Sequence, residues 1–189
     1  LGLPGPFGRG TSFTFESEVA ILFNTVVYVQ GTRRDIFPRQ PDGTFQNLTQ
    51  PAYRGVVITV EADQTRTVRF KDGSLERYNP QGRLIERRDR NGNAITIQRD
   101  LAGNIQTITA PDGRQLTVTY TSTAFFATIA SITDPLGRTV RYTYNAQGLL
   151  ETVTNPASGV TRYTYDTSGK LLTITDPRGI TFLTNEYGF

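Results

Sequence analysis

The sequence has no cysteine, histidine, methionine or tryptophan. Without cysteine there can be no disulfide and no thiolate metal site, so composition carries no mark of redox compartment. Without histidine, Ser-His-Asp and Cys-His nucleophile systems, imidazole metal ligands and proton shuttling near neutral pH are all excluded. Long apolar runs are missing too. The longest, Val19–Phe23, is five residues, against roughly 18 for a membrane span. No stretch shows a convincing helical period. The chain also opens at Leu1 without an initiator methionine, and it is expected to be a piece of something longer.

What is present is repetition. Arg141–Pro156 and Arg162–Pro177 are nearly the same sentence, offset by 21 residues. A fixed period near 20 residues marks a repeat architecture, which builds a wall more readily than an active site. The unit can be followed backwards. The aromatic before its turn is Tyr165, Tyr144, Tyr120 and Tyr78, with Arg99 substituting once. The polar residue after it is Asp166, Asn145, Thr121, Asp100 and Asn79, and the turn glycine is Gly169, Gly148, Gly103 and Gly82. An apolar residue follows at Leu171, Leu150, Ile129, Ile105 and Leu84, and each unit closes on Gly179, Gly159, Gly137, Gly113 or Gly92. One unit carries about three extra residues within Thr121–Thr128, including Phe125 and Phe126. Five full units and a sixth fragment ending at Tyr187-Gly188 are expected.

Each unit reads as a β-hairpin. Val140–Tyr144 alternates with period two and is β-branched and aromatic, as a pleated surface favours. Asn145–Gly148 supplies a turn, because Asn bonds its own backbone and Gly takes positive φ freely. Leu149–Thr154 returns, and Asn155-Pro156 or Asp176-Pro177 ends the strand. Short strands with turn signals about every ten residues predict an all-β chain. At 37% hydrophobic, against roughly 45–50% for ordinary domains, a wall one or two strands thick is expected, without a deep core. Residues 1–62 read as an irregular β lead-in to the same sheet, with strand-like runs at Ser12–Val19, Thr25–Gln30 and Val56–Glu61. Gln30-Gly31 and Asp42-Gly43 mark turns between runs there. The repeats fill 63–189, with Thr65–Phe70 as their first run.

Tyr165-Asp166, followed by Gly169–Gly179, resembles the YD repeat of the Rhs proteins. Asp89–Asn93 and Asp134–Arg138 fit the same repeat, while Gly5–Gly8 and Asp72–Ser74 look like its usual lead-in. The relatives include bacterial polymorphic toxins, shell components of insecticidal toxin complexes, and teneurins. The resemblance implies an all-β strip that spirals into a hollow shell, incomplete here. In bacterial members the shell encloses a toxin effector domain, and the chain is secreted or delivered by a secretion system, to the extracellular space or a cell surface. Its partners would be further repeats of the same precursor or a partner chain, the enclosed toxin, and a secretion-system component. The family's self-cleaving segment holds two Asp-Pro-x-Gly motifs at a short spacing. Here Asp134–Gly137 and Asp176–Gly179 are separated by 38 residues, so Asp134 and Asp176 read as turn formers.

A carboxylate pair for glycoside hydrolysis remains conceivable, but the acids sit at repeated turn positions, and no enzyme activity is expected. Asp89–Asn93 departs from a calcium loop, since its glycine is fourth and no acid stands twelfth. No metal or cofactor is expected. The net charge of +3 and pI near 9.3, with Arg83, Arg87, Arg88 and Arg90, suggest nucleic acid only weakly, because Glu86 and Asp89 interrupt the run. A solvated strand face is the plainer account, and no nucleic-acid partner is expected. Asn47–Thr49 is a glycosylation sequon that matters only in a secreted eukaryotic protein. Tyr142, Tyr144, Tyr163 and Tyr165 should share one sheet face and stack as cross-strand neighbours. Such a face could bind a carbohydrate or protein partner in an extracellular adhesion module, the alternative to a shell. The other account is tyrosine as glue, its ring packed and its hydroxyl wet. Open sheet edges invite pairing with further strands, so completion by more repeats is expected.

Overall fold

The computed structural model describes residues 5–8, 11, 13–122 and 127–188. Ser12, the insertion aromatics Phe125 and Phe126, residues 1–4 of the lead-in, and Phe189 lie outside the described residues. The chain divides into two compact units, Phe13–Arg114 and the stretch from Gln115 onward with the described part of the first twelve residues. The described elements are strands, apart from one short 3-10 turn at Pro51–Tyr53.

In the first unit, β1 (Glu18–Leu22), β2 (Thr25–Gln30) and β3 (Arg33–Pro38) pair antiparallel as a sheet of their own. The lead-in is thus divided: its strands within residues 18–38 form a second layer over the repeat sheet, while its last run, at Val57–Val60, is the edge strand of that sheet, with Phe45 bridged to Ile58. The alternation of β2 explains this, since Val26 and Tyr28 are fully buried while their neighbours are not. Of the described part of the run expected at Ser12–Val19, Phe13–Phe15 turn instead, and β1 starts at Glu18. The repeat sheet begins with β4 (Val57–Val60), β5 (Arg66–Arg69), β6 (Leu75–Tyr78), β7 (Leu84–Arg88), β8 (Ala94–Arg99) and β9 (Ile105–Thr109), in sequence order. Phe37, Tyr28 and Val19 of the small sheet, with Ile58, Val68, Tyr78 and Leu84 of the repeat sheet, are all almost wholly excluded from water. Removing such a side chain from water contributes about 1.5–3 kcal/mol. This unit thus has the two-layer core that its low apolar content argued against.

The second unit contains β10 (Gln115–Tyr120), β11 (Ile129–Thr133), β12 (Thr139–Tyr144), β13 (Leu150–Thr154), β14 (Val160–Tyr165), β15 (Leu171–Thr175) and β16 (Thr181–Thr184). Consecutive strands pair antiparallel. Its buried apolar residues are few: Val118, Ala127, Ile129 and Leu149. Here the thin wall expected from composition is what the chain builds.

Every repeat repeats a defect. The register slips one residue just before the turn aromatic, at Arg77/Tyr78, Gln98/Arg99, Thr119/Tyr120, Thr143/Tyr144 and Thr164/Tyr165. A bulge of this kind re-aims the neighbouring side chain and increases local twist.

One turn corrects the sequence alignment. Gly137 and Gly179 hold positive φ and donate their amides back to Asp134 and Asp176. In the turn between β13 and β14 that post is held by Ser158, at φ 65°, not by Gly159. Gly159 is required for space, since a Cβ there would stand 2.8 Å from the Asn155 amide nitrogen. A left-handed non-glycine residue is strained by about 1–2 kcal/mol. Ser158→Gly is therefore expected to stabilise the chain by up to about 1 kcal/mol once glycine's larger unfolded-state entropy is subtracted, read as a raised urea midpoint. Gly159→Ala should lower it.

Candidate interaction face of the repeat sheet

The turns come first, because they aim everything else. In many of them, one side-chain oxygen of Asp or Asn caps the amides two and four residues on: Asn145 takes Gln147 and Leu149 at 3.0 Å, and Asp176 takes Arg178 and Ile180 at 2.9 Å. Asp134 does the same for Leu136 and Arg138. Both Asp-Pro-x-Gly acids are thus engaged in turns. Their carboxyls lie below the ordinary range, Asp134 through its bonds with Arg138, and Asp176 chiefly through the Ile180 amide. Asp89 is lowered likewise, first by Asn93. A depressed acid binds its proton more weakly folded than unfolded, so its stabilisation is complete above its unfolded pKa and lost on acidification through the folded one. Stability should accordingly fall as pH drops below about 4. Urea midpoints followed from pH 6 to 2.5 check this, and Asp89→Asn with Asp134→Asn should flatten the slope while the turns persist.

The bulge sends the turn aromatic across the hairpin. Tyr144 donates its hydroxyl to the Ile129 carbonyl at 2.7 Å, and Tyr165 to that of Leu150 at 2.7 Å. Tyr187 reaches Leu171 at 2.8 Å. The acceptor is each time the first residue of a strand in the preceding hairpin. The hydroxyls are not simply wet, as the glue account supposed; they clasp one unit to the last. Arg99 explains itself on the same rule, since its Nε donates to Leu84 at 3.0 Å, also fifteen residues back. Burial raises the Tyr144 and Tyr165 pKa values. Tyr165→Phe should remove about 1 kcal/mol, the net worth of one such bond plus part of the orphaned carbonyl, measured as the urea midpoint at fixed slope.

Tyr142, Tyr144, Tyr163 and Tyr165 do share one face. The residue directly across from each is aliphatic, however: Val153, Leu150, Ile174 and Leu171. The intervening strand separates the tyrosine pairs, so they alternate with aliphatic residues and do not pair directly. The face is also not uniformly open. Phe7 lies 4.9 Å from the Tyr142 ring, and Pro6 accepts the Ile129 amide at 2.7 Å. Gly8 comes so close that an added Cβ would stand 2.7 Å from the Gly148 carbonyl oxygen. The opposite face carries paired hydroxyls that sequence reading missed, among them Thr143 with Thr152 at 2.7 Å and Thr164 with Thr173 at 2.6 Å.

Of the arginines singled out in the sequence, Arg88 and Arg90 are exposed, as a solvated face requires, but Arg83 and Arg87 are half-buried against the lead-in. Arg87 donates to Glu76 at 2.6 Å and to the Thr14 carbonyl at 2.8 Å. Arg83 pairs with Glu18, and Arg99, almost wholly buried, donates to the Phe15 carbonyl at 2.9 Å. These side chains fasten the lead-in to the repeats. Glu76 is buried and also receives the hydroxyls of Tyr28, at 2.7 Å, and Tyr78. Burial, then the Glu76 charge, pushes both phenols well above the ordinary tyrosine range. Among the described residues no group of three or more carboxylates gathers as a metal site. The depression bordered by Glu61, Asp63, Thr65 and Arg77 uses its acids locally, Asp63 capping the Thr65 amide at 3.0 Å.

A two-faced antiparallel sheet of bulged hairpins, in strict sequence order, defines a YD-type repeat protein. The teneurin YD-shell family model matches residues 61–186, and the chain belongs to that family. No curated protein matches its sequence. Among solved structures, the TcdB2-TccC3-TEV crystal structure is 13% identical, covering 80% of this chain and 10% of that one, with TM-score 0.45. The Photorhabdus luminescens Tc holotoxin pore, with the TccC3-D651A mutation, is 13% identical, covering 84% and 11%, with TM-score 0.44. The chain thus spans about a tenth of the length of these structures.

Proposed function

We propose that the chain is a structural segment of an Rhs-type hollow β-shell that encloses or presents another polypeptide, a toxin effector domain being the cargo. The observation that carries this is the YD-shell match over residues 61–186, supported by acids and tyrosines that are spent on turns and clasps. Containment needs no catalysis, so the chain acts without an active site or cofactor. Its partners are further repeats, the cargo and a component of a secretion system, and it works secreted or delivered outside the producing cell, in competition between bacteria. No helix among the described residues is long and apolar enough to cross a membrane. Limited proteolysis of the parent polypeptide tests the reading. The cargo domain should survive while attached and be cleaved once freed; equal cleavage in both states would exclude containment. A second reading, an extracellular glycan- or protein-binding module, draws on the half-buried pair Tyr163 and Tyr165. Glycan-array binding lost in Tyr163→Ala, with folding intact, would favour it.

A further inference from the structure

We propose that the face around Tyr163, Tyr165 and Leu171 is a seat for an extended polypeptide segment presenting an aromatic side chain between small residues. This goes beyond containment, because the seat is defined by this chain's own side chains whatever a shell encloses. The occupant's chemistry is read from the equivalent place one repeat earlier. There the chain's own Pro6–Gly8 is seated: Pro6 accepts the Ile129 amide at 2.7 Å, Phe7 packs on Tyr142 at 4.9 Å, and Gly8 nestles on the backbone at Gly148. At Gly8 an added Cβ would also meet the Leu150 amide nitrogen and the Tyr144 ring, each at 3.3 Å. Only a residue without a side chain fits that approach.

Moving 21 residues along, every wall recurs. Tyr163 stands for Tyr142, Tyr165 for Tyr144, Gly169 for Gly148, Leu171 for Leu150, and Leu150 for Ile129. Tyr165 is held by the Leu150 carbonyl as Tyr144 is held by that of Ile129, so the pair of rings is set in the same pose. The rim differs, because buried Leu149 is replaced by exposed Lys170, whose ammonium lies 5.0 Å from the Tyr187 ring centroid.

The turn-glycine carbonyls supply an independent sign. In the first unit that of Gly82 accepts the Val19 amide at 2.9 Å, and that of Gly103 accepts Arg99 at 2.8 Å. Gly148 meets Gly8 as above. At Gly169, as at Gly148, no described residue hydrogen-bonds the carbonyl, but no described backbone approaches it as Gly8 approaches Gly148, and only the Leu149 side chain comes within reach of an added Cβ, at 3.5 Å. A backbone arriving at Gly169, with a ring laid on Tyr163, would complete the pattern that two other repeats fill from within the chain.

The test is titration of the full chain with the capped peptide Gly-Pro-Phe-Gly, followed by amide chemical shifts. Saturable shifts centred on Tyr163, Gly169 and Leu171 are expected. Gly-Pro-Ala-Gly should bind about three- to tenfold more weakly, the worth of one aromatic pair. Tyr163→Ala should weaken binding similarly and Tyr163→Phe should leave it unchanged; if the alanine variant misfolds, the peptide exchange carries the comparison alone. Absence of saturation, shifts confined to Tyr142–Leu150 as the chain's own segment is displaced, or equal affinity for the two peptides would overturn the seat. None of these outcomes depends on whether a cargo domain is protected from protease.

Discussion

Glu76→Ala is expected to destabilise the first unit by about 3–5 kcal/mol, because it strips a shared acceptor from a buried network and leaves a cation behind. Glu76 is 5% exposed and takes Arg87 on one oxygen and Tyr28 with Tyr78 on the other. Gln30 donates to the Tyr28 hydroxyl at 2.7 Å, and Ser17 lies 3.1 Å from that of Tyr78. Deleting the carboxylate takes the shared acceptor from two phenols and a guanidinium at once. Against a total stability of roughly 5–15 kcal/mol for a domain, this is a large fraction. Urea unfolding by circular dichroism measures it, and Glu76→Gln, which keeps an acceptor without the charge, should fall between wild type and alanine.

Gly82→Ala should cost about 2–3 kcal/mol, combining left-handed strain of about 1–2 kcal/mol with loss of a strand-docking bond worth about 1. Gly82 has φ +82°, and a Cβ there would stand 2.3 Å from the Val19 carbonyl oxygen. The Val19 amide bonds the Gly82 carbonyl at 2.9 Å, so β1 must be pushed off. Gly113→Ala is the control: its φ is +83° with nothing within 4 Å of the added atom. The control should show the strain alone, and the difference between the two midpoints isolates the docking of β1.

The repeats were legible because their signals are local. Turn residues, alternation and period survive in single hairpins, and Asp134 and Asp176 were readable as turn acids from their neighbours alone. What the sequence hid is what depends on distance along the chain. Tyr28 and Glu76 are 48 residues apart and Ser17 and Tyr78 are 61 apart, with no shared pattern to link them. The separate sheet of β1–β3 was missed for the same reason, and so was the fastening role of Arg87 and Arg99. Arg99 looked like a blemish in the tyrosine column. It keeps the column's function because a guanidinium can donate to the carbonyl that a phenol would reach. Ser158 and Gly159 misled by one place, since spacing alone cannot tell a glycine needed for its dihedral from one needed for its lack of a Cβ. The tyrosine face was correctly gathered on one side, but nothing in the composition said that Phe7 would lie on part of it.

The clasps carry a direction. Each donor, Arg99, Tyr144, Tyr165 or Tyr187, reaches backward to a carbonyl made about fifteen residues earlier. As a nascent chain leaves the ribosome, amino-terminal end first, the acceptor is always already outside when its donor emerges. A hairpin that carries such a donor can lock onto the one before it without waiting for anything still to be synthesised. Nearest-neighbour coupling of this sort lets a repeat array grow from a formed end, and here the bond pattern allows that growth to follow translation.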